Sequence, residues 1–230
     1  MNEKELNELN AKFEKAQPQE ILEWAIKTYR PRVGLSSSFG AESAGLLHMA
    51  TQIEPSIPIL FINTGHLFKE TLQFAADLKK KFNLNLREFK SNSEQMASIQ
   101  KKLDDPNNKV GACCDDVKVT LMQQSLEGLD CWIAGLRRNQ SATRKNIKIV
   151  ESYRSGLVKV HPLANWTSKE LYEYMKKHDL PFHPLWHKGY KSIGCEPCTT
   201  LPLPGQDDRS GRWAGTEKTE CGIHTFLPKQ

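Results

Sequence analysis

The stretch IPILFIN, residues 57–63, decides how this chain folds. Its apolar side chains run on without alternating with polar ones, so both faces of the segment need cover. That pattern predicts a strand inside a parallel sheet with helices on both sides. Upstream, RVGLSSS (32–38) reads as a short buried strand ending in hydroxyl residues, and downstream LNLREFK (84–90) alternates as a strand does. AESAGLLHMATQI (41–53) and LFKETLQFAADLKKKF (67–82) carry helical spacing between them. DCWIAGL (130–136) is another buried strand, preceded by helical stretches at 93–103 and 114–127. Two further strands, IKIV (147–150) and LVKVHPL (157–163), lead to TSKE (167–170), a capping box that opens a helix over 168–178. At the start, Leu6, Leu9 and Phe13 mark a helix over 3–16, and Pro18 suits the first turn of another. Strands alternating with helices imply βαβ units. The expected architecture is a single α/β domain, a mostly parallel open sheet flanked by helices over residues 1–205. A loop-rich, mobile tail over 206–230 follows.

The chain has 230 residues, enough for one α/β domain with a full core and short for two. Apolar residues make up 38% and charged residues 26%, the balance of a soluble globular protein. The net charge of +5 comes from Lys and Arg spread along the chain. No basic run is interleaved with aromatics, which argues against nucleic acid as a partner. No apolar run approaches the roughly 18–20 residues of a membrane helix. MNEKELNELNAKFEKAQ, at the start, is too polar for a secretory signal. These readings place the protein in the cytoplasm, away from membranes, where structural disulfides are rare and cysteines serve metals or catalysis. Whether the chain works as a monomer or a homo-oligomer is left open.

In open α/β sheets ligands bind beyond the carboxyl ends of the strands. Three loops lie there. SSSFGAES (36–43) offers Ser36, Ser37, Ser38, Phe39 and Gly40 ahead of a helix, a combination suited to phosphate or sulfate and equally to an ordinary capped turn. It has neither the Gly-Lys-Ser/Thr ending of a Walker loop nor the GxGxxG pattern. NTGHLF (63–68) supplies Thr64 and Gly65 for a close turn. GLRRNQSATR (135–144) brings Arg137, Arg138 and Arg144 together, and arginine forks match phosphate and sulfate oxygens.

The chain has six cysteines. Cys113–Cys114 and Cys195-Glu-Pro-Cys198 are two close pairs, and four thiolates are what a closed metal site needs. A CxxC pair alone also fits a thiol redox motif, although this one lies in a Gly/Pro-rich loop. Adjacent ligands diverge, which suits an iron–sulfur cubane better than a zinc ion; zinc and plain buried thiols stay open. Cys131 lies in a strand and reads as core. Cys221, in EKTECGIHTF, is polar-flanked and distant from both pairs; with Lys218 and His224 nearby its pKa could be lowered for nucleophilic work. His161, His183 and His187 each sit beside Pro or Trp and read as packing residues.

SSSFGAES, NTGHLF, CCDDVK, GLRRNQSATR, HPLANWT, GYKSIGCEPCT, DDRSGRW and KTECGIH span residues 33–224. In this order they resemble the assimilatory adenylyl-sulfate and phosphoadenylyl-sulfate reductases of the iron–sulfur type. The resemblance implies an adenine-nucleotide α-hydrolase-like fold and a 4Fe–4S cluster on Cys113, Cys114, Cys195 and Cys198. It implies that Cys221 attacks the sulfur of adenosine 5′-phosphosulfate, releasing AMP and leaving an S-sulfocysteine. Thioredoxin, or a glutaredoxin-like thiol donor, then frees sulfite, a step of sulfate assimilation and cysteine biosynthesis. Lys118 matches a lysine between cluster and substrate, and Arg209 and Arg212 match arginines at the phosphosulfate. Arg137 or Arg138 falls in the matching arginine loop. Asn63 stands where the family commonly has Asp. The 3′-phosphorylated nucleotide, alone or beside the other, is the alternative substrate. An ATP-cleaving thiolation enzyme of the same superfold is a more distant reading, but SSSFGAES lacks its paired glycines. An iron–sulfur redox sensor would leave Cys221 without a purpose.

Overall fold

The computed structural model describes residues 1–105, 117–154, 156–202 and 205–224. Strands form at Val33–Ser36 (β1), Pro58–Asn63 (β2), Asn85–Lys90 (β3), Cys131–Ala134 (β4), Val150–Arg154 (β5) and Leu157–Val160 (β6). Helices form at Glu3–Phe13 (α1), Pro18–Tyr29 (α2), Ser43–Ile53 (α3), Lys69–Phe82 (α4), Ser93–Asp104 (α5), Val119–Ser125 (α6) and Ser168–Lys177 (α7). The strands make one six-stranded sheet in the order β3-β2-β1-β4-β6-β5, parallel throughout except for the antiparallel edge pair β5–β6.

The apolar run of β2 is explained by what covers it. Ile59 and Phe61 face one core cluster, with Leu22 of α2, Leu47 of α3, Phe74 of α4 and Leu171 of α7. Leu60 and Ile62 face the other, with Ile99 of α5, Leu121 of α6 and Trp132 of β4. Each such side chain contributes about 1.5–3 kcal/mol by leaving water, on both faces of the sheet. α3 and α7 approach closely because residue 45 is Gly: a Cβ there would lie 2.5 Å from Leu171 Cδ1. Capping boxes open α1 at Asn2, α5 at Asn92 and α7 at Thr167, the last as TSKE predicts.

Two expectations shift. The strand expected at IKIV lies at Val150–Arg154 and shares only Val150 with it. Asn10 of α1 is the reason: its Oδ1 accepts from the backbone N–H of Ile149 (2.9 Å) and Val150 (3.1 Å), and its Nδ2 donates to Val150 O (2.8 Å). A side chain thus satisfies the backbone that strand pairing was expected to use. The helix expected at 114–127 spans Val119–Ser125, and 114–116 lie outside the described residues.

The chain order places the site. From β1 the sheet grows through β2 to β3 on one side, then returns to set β4 on the other side of β1. The crevice beyond β1 and β4 is therefore the switch point where α/β sheets take ligands. Residues 181–202 form short turns, including 3-10 turns at Pro184–Lys188 and Glu196–Cys198, and Lys191, Ser192, Ile193 and Gly194 of this stretch line the crevice. Over 205–224 the tail packs against the domain. Thr199 bridges Arg212, Thr200 N–H donates to Gly211 O (2.7 Å), and Trp213 is buried. Among the described residues, no helix is long and apolar enough to cross a membrane.

Candidate active site

Beyond β1 and β4 lies a cavity of about 230 Å³. Ser36, Ser37, Ser38 and Gly40 line it from the first loop, Arg137 and Arg144 from the third. Lys118, Arg209, Arg212, Cys221 and His224 are also on its wall. Residues from five separate stretches, expected from sequence to act together, thus meet at one place.

The serine loop is built to be rigid. Ser36 Oγ accepts from Trp132 Nε1 (2.7 Å), and Ser37 Oγ accepts from Phe39 N–H (3.1 Å). Phe39 has a positive φ of 49° and is buried, its ring edge-on to Phe61 at 4.9 Å. Phe39, a candidate substrate residue, packs its ring in the core and is not among the residues lining the cavity.

The three loop arginines separate into different roles. Arg138 turns away: it pairs with Glu14 (2.6 Å), bonds Asn165 and donates to Ile147 O (3.0 Å). It does not line the cavity, and it ties the loop to the end of α1. Arg137 is buried and lines the cavity, but its charge meets Glu42 (2.8 Å) and Ser168 Oγ (3.1 Å). Arg144 forks onto Glu220, through Nε (2.7 Å) and Nη2 (2.9 Å). Arg209 joins the same carboxylate from the tail, at 3.0 Å. Burial, then the charge of Arg144, pushes the Arg209 pKa down to about 10, which leaves it protonated at neutral pH. Arg212 lies over the Trp213 ring, 4.5 Å from its centroid, and its Nε donates to Cys198 O (3.3 Å).

Ile223 and His224 sit in a socket on β4, β5 and β6. The His224 ring stacks on Trp132 at 5.2 Å and 11°, and its carbonyl accepts from Lys159 Nζ (3.3 Å). Tyr153 OH donates to Ile223 O (3.3 Å). Lys159 is 2% exposed, paired with Glu151 (3.1 Å) and poised over Trp132 and Tyr153. Burial, then the charges of Lys159 and Arg144, drive the His224 pKa well below its ordinary value. The imidazole is therefore neutral and supplies no positive charge to the Cys221 thiol. Lys218, the other expected support, is not part of the cavity lining.

Cys195 and Cys198, both buried, stand at the two ends of one tight turn beside the cavity. Thr64 Oγ1 lies 3.4 Å from Cys195 Sγ, Leu67 bridges Cys195, and Glu196 N–H donates to His66 O (2.8 Å). Thr64, a candidate substrate residue, thus braces the cysteine turn, and neither it nor Gly65 is among the residues lining the cavity. Gly65 keeps its φ of 78°, as the close turn requires. Cys113 and Cys114 lie outside the described residues. Among the described residues no three metal-ligating side chains gather at one point. Two buried sulfurs, one beside a hydroxyl, are a donor set that fits half of a tetrathiolate site.

Residues 32–201 match the model of the phosphoadenosine phosphosulfate reductase domain. The chain belongs to that family. It is accordingly an oxidoreductase. An adenosine 5′-phosphosulfate reductase of Bacillus thuringiensis (strain Al Hakam) is 41% identical over 209 residues, covering 89% of this chain and 88% of that one. A second, from Bacillus cereus (strain Q1), is 40% identical over 208 residues, 88% of each. The crystal structure of phosphoadenylyl-sulfate reductase from Candida auris, a phosphate complex, superposes with a TM-score of 0.74 at 25% identity, over 87% of this chain and 98% of that one.

Sequence reasoning missed Lys159, Glu220 and Glu42. For Lys159 a signal existed: it is a charged residue in LVKV, a strand buried at all four positions. No local signal marks Glu220 as the partner of Arg144, 76 residues away.

Proposed function

We propose that the protein reduces adenosine 5′-phosphosulfate to sulfite and AMP. The Cys221 thiolate attacks the sulfur, the S–O bond to AMP breaks, and an S-sulfocysteine forms. A dithiol donor of the thioredoxin type then attacks the Cys221 sulfur. Its own two thiols end as a disulfide, and sulfite leaves with the S–S electron pair. The observation that carries this reading is that Cys221 lines the same cavity as the serine loop, Arg144, Arg209 and Arg212. The oxygens around the attacked sulfur repel a thiolate, so guanidinium groups must neutralise them as charge moves onto AMP. The names of relatives about 40% identical over most of the chain support the substrate.

In this reading Cys195 and Cys198 hold a 4Fe–4S cluster with Cys113 and Cys114. When bound, the cluster would supply a fixed charge and a rigid frame beside the cavity. Arg212 would join that frame to the substrate, since it bonds the carbonyl of Cys198. Lys118, buried on the cavity wall at the start of α6, would offset anionic charge there.

The test uses protein purified without air and adenosine 5′-phosphosulfate without a thiol donor. The mass of the chain should rise by one SO₃ on Cys221, and reduced thioredoxin should release it as sulfite. Cys221→Ser should bind AMP as the wild type does and take up no SO₃; turnover retained in that variant would end this reading. Iron analysis and visible absorption test the cluster, and a colourless, iron-free active protein would remove it. The 3′-phosphorylated nucleotide is the second reading, favoured by the likeness to the Candida auris enzyme. Comparing kcat/KM for the two nucleotides decides between them.

A further inference from the structure

We propose that Glu220 is a positioning residue: its carboxylate occupies the Arg144–Arg209 pair, which holds the Cys221 tail closed and makes the substrate's anionic groups compete for the same guanidiniums. This rests on the reading of Cys221 as the attacking thiolate.

Four observations point to it. Glu220 precedes Cys221 directly, so whatever fixes its carboxylate also fixes where the thiol can reach. The contact is two-armed: Arg144 donates from Nε and Nη2 at 2.7 and 2.9 Å, and Arg209 from Nη2 at 3.0 Å. Both arginines line the cavity, so charge they could offer an incoming anion is already met by a residue of the protein itself. Arg209 Nε is buried with no hydrogen-bond partner among the described residues, a donor left over for an incoming oxygen.

The contact is also well formed. The Glu220 and Arg144 side chains are 13% and 10% exposed, which limits screening by salt. Burial alone would raise the Glu220 pKa. The hydrogen bond and charge of Arg144, with the charge of Arg209, outweigh it and hold the carboxyl below its ordinary value. Glu220 is therefore ionised at neutral pH and neutralises charge that would otherwise attract the nucleotide. The arrangement trades ground-state affinity for placement of the nucleophile.

Glu220→Gln keeps the shape and removes the charge. Compared with wild type, both purified without air, it should bind AMP about 3–10-fold tighter by calorimetry, since about 1 kcal/mol of competing charge is gone. Over a single turnover with adenosine 5′-phosphosulfate it should form S-sulfocysteine about tenfold more slowly, since the tail is less fixed. A merely structural role would weaken AMP binding, so the opposite signs are the signature. AMP affinity unchanged or weakened would overturn the proposal, as would an unchanged rate of SO₃ transfer. If Glu220→Gln fails to fold, Glu220→Asp should show the same two signs with smaller size. A wild type that never carries SO₃ on Cys221 would sink the proposed reaction, and the AMP arm would still decide whether Glu220 competes for the Arg144–Arg209 pair.

Discussion

Gly194→Ala offers a sharp test of how the site is held. A Cβ at this position would stand 2.5 Å from both Cζ and Nη1 of Arg212, and closer still to Nη2. Non-bonded heavy atoms settle at about 3.5–4 Å, so the guanidinium must retreat by about 1 Å. It is the free end of a long side chain, and the retreat strains no backbone. The losses are the stacking on Trp213, worth about 0.5–1 kcal/mol, and the bond from Nε to Cys198 O, worth about 1.5–3 kcal/mol if fully broken. Alanine returns about 0.4–1 kcal/mol through the unfolded chain. The net cost is about 1–3.5 kcal/mol, a fall in Tm of roughly 2–14 °C. The effect on chemistry should be larger. A donor displaced by about 1 Å from a developing oxyanion costs about 10²-fold in rate. Thermal melts and single-turnover formation of S-sulfocysteine read the two quantities. Adding Arg212→Ala to Gly194→Ala should slow the reaction little further, because both changes remove the same contact. A Gly194→Ala protein with wild-type rate would refute the placement of Arg212 at the reacting group. Complete unfolding would refute the claim that only a side-chain end moves.

Two further outcomes follow from single contacts. Asn63 accepts from Gly65 N–H (3.0 Å) and donates to Glu88 Oε1 (2.7 Å). Asn63→Asp keeps the first bond and sets a carboxylate against Glu88, so stability at pH 7 should fall by about 1 kcal/mol. That loss should recover as the pH drops toward about 4, where the pair takes up a proton, and in Asn63→Asp/Glu88→Gln; urea midpoints that ignore pH would contradict it. His183 is buried, its Nδ1 accepts from Leu185 N–H (3.1 Å), and Thr71 Oγ1 lies 3.0 Å from its Nε2. Burial pushes its pKa down to about 4, below the ordinary 6.5. The unfolded chain therefore binds the extra proton first, so stability is full above pH 6.5 and is lost progressively as pH falls toward 4. The integrated loss is on the order of 3 kcal/mol, and the slope over that window should flatten in His183→Gln. A wild-type Tm constant from pH 6.5 to 4 would contradict the burial argument.

The sheet was readable because its physics is local. IPILFIN must be buried on both faces wherever it goes, and TSKE caps a helix through contacts three residues apart. The Cys195–Cys198 pair and the Cys221 segment stood out by spacing and composition, and the fold sets Cys221 on the cavity wall. Arg138 was not readable: nothing in RRNQ says that the second arginine turns to Glu14 and that the third, Arg144, reaches the tail. Phe39 and Thr64 look like ligand residues in sequence, and packing turns one into a core anchor and the other into a brace for Cys195. IKIV looks like a strand, and one asparagine of α1 redirects its backbone bonds.

The amino-acid order alone determines the alternation of strands and helices and the mostly parallel sheet, because periodicity and side-chain type act over a few residues. Which charges meet is settled only in three dimensions. The Arg144–Glu220–Arg209 contact, the Lys159 socket under His224 and the bare face of Gly194 join residues far apart in the chain. Their pairing depends on distances that the folded sheet imposes.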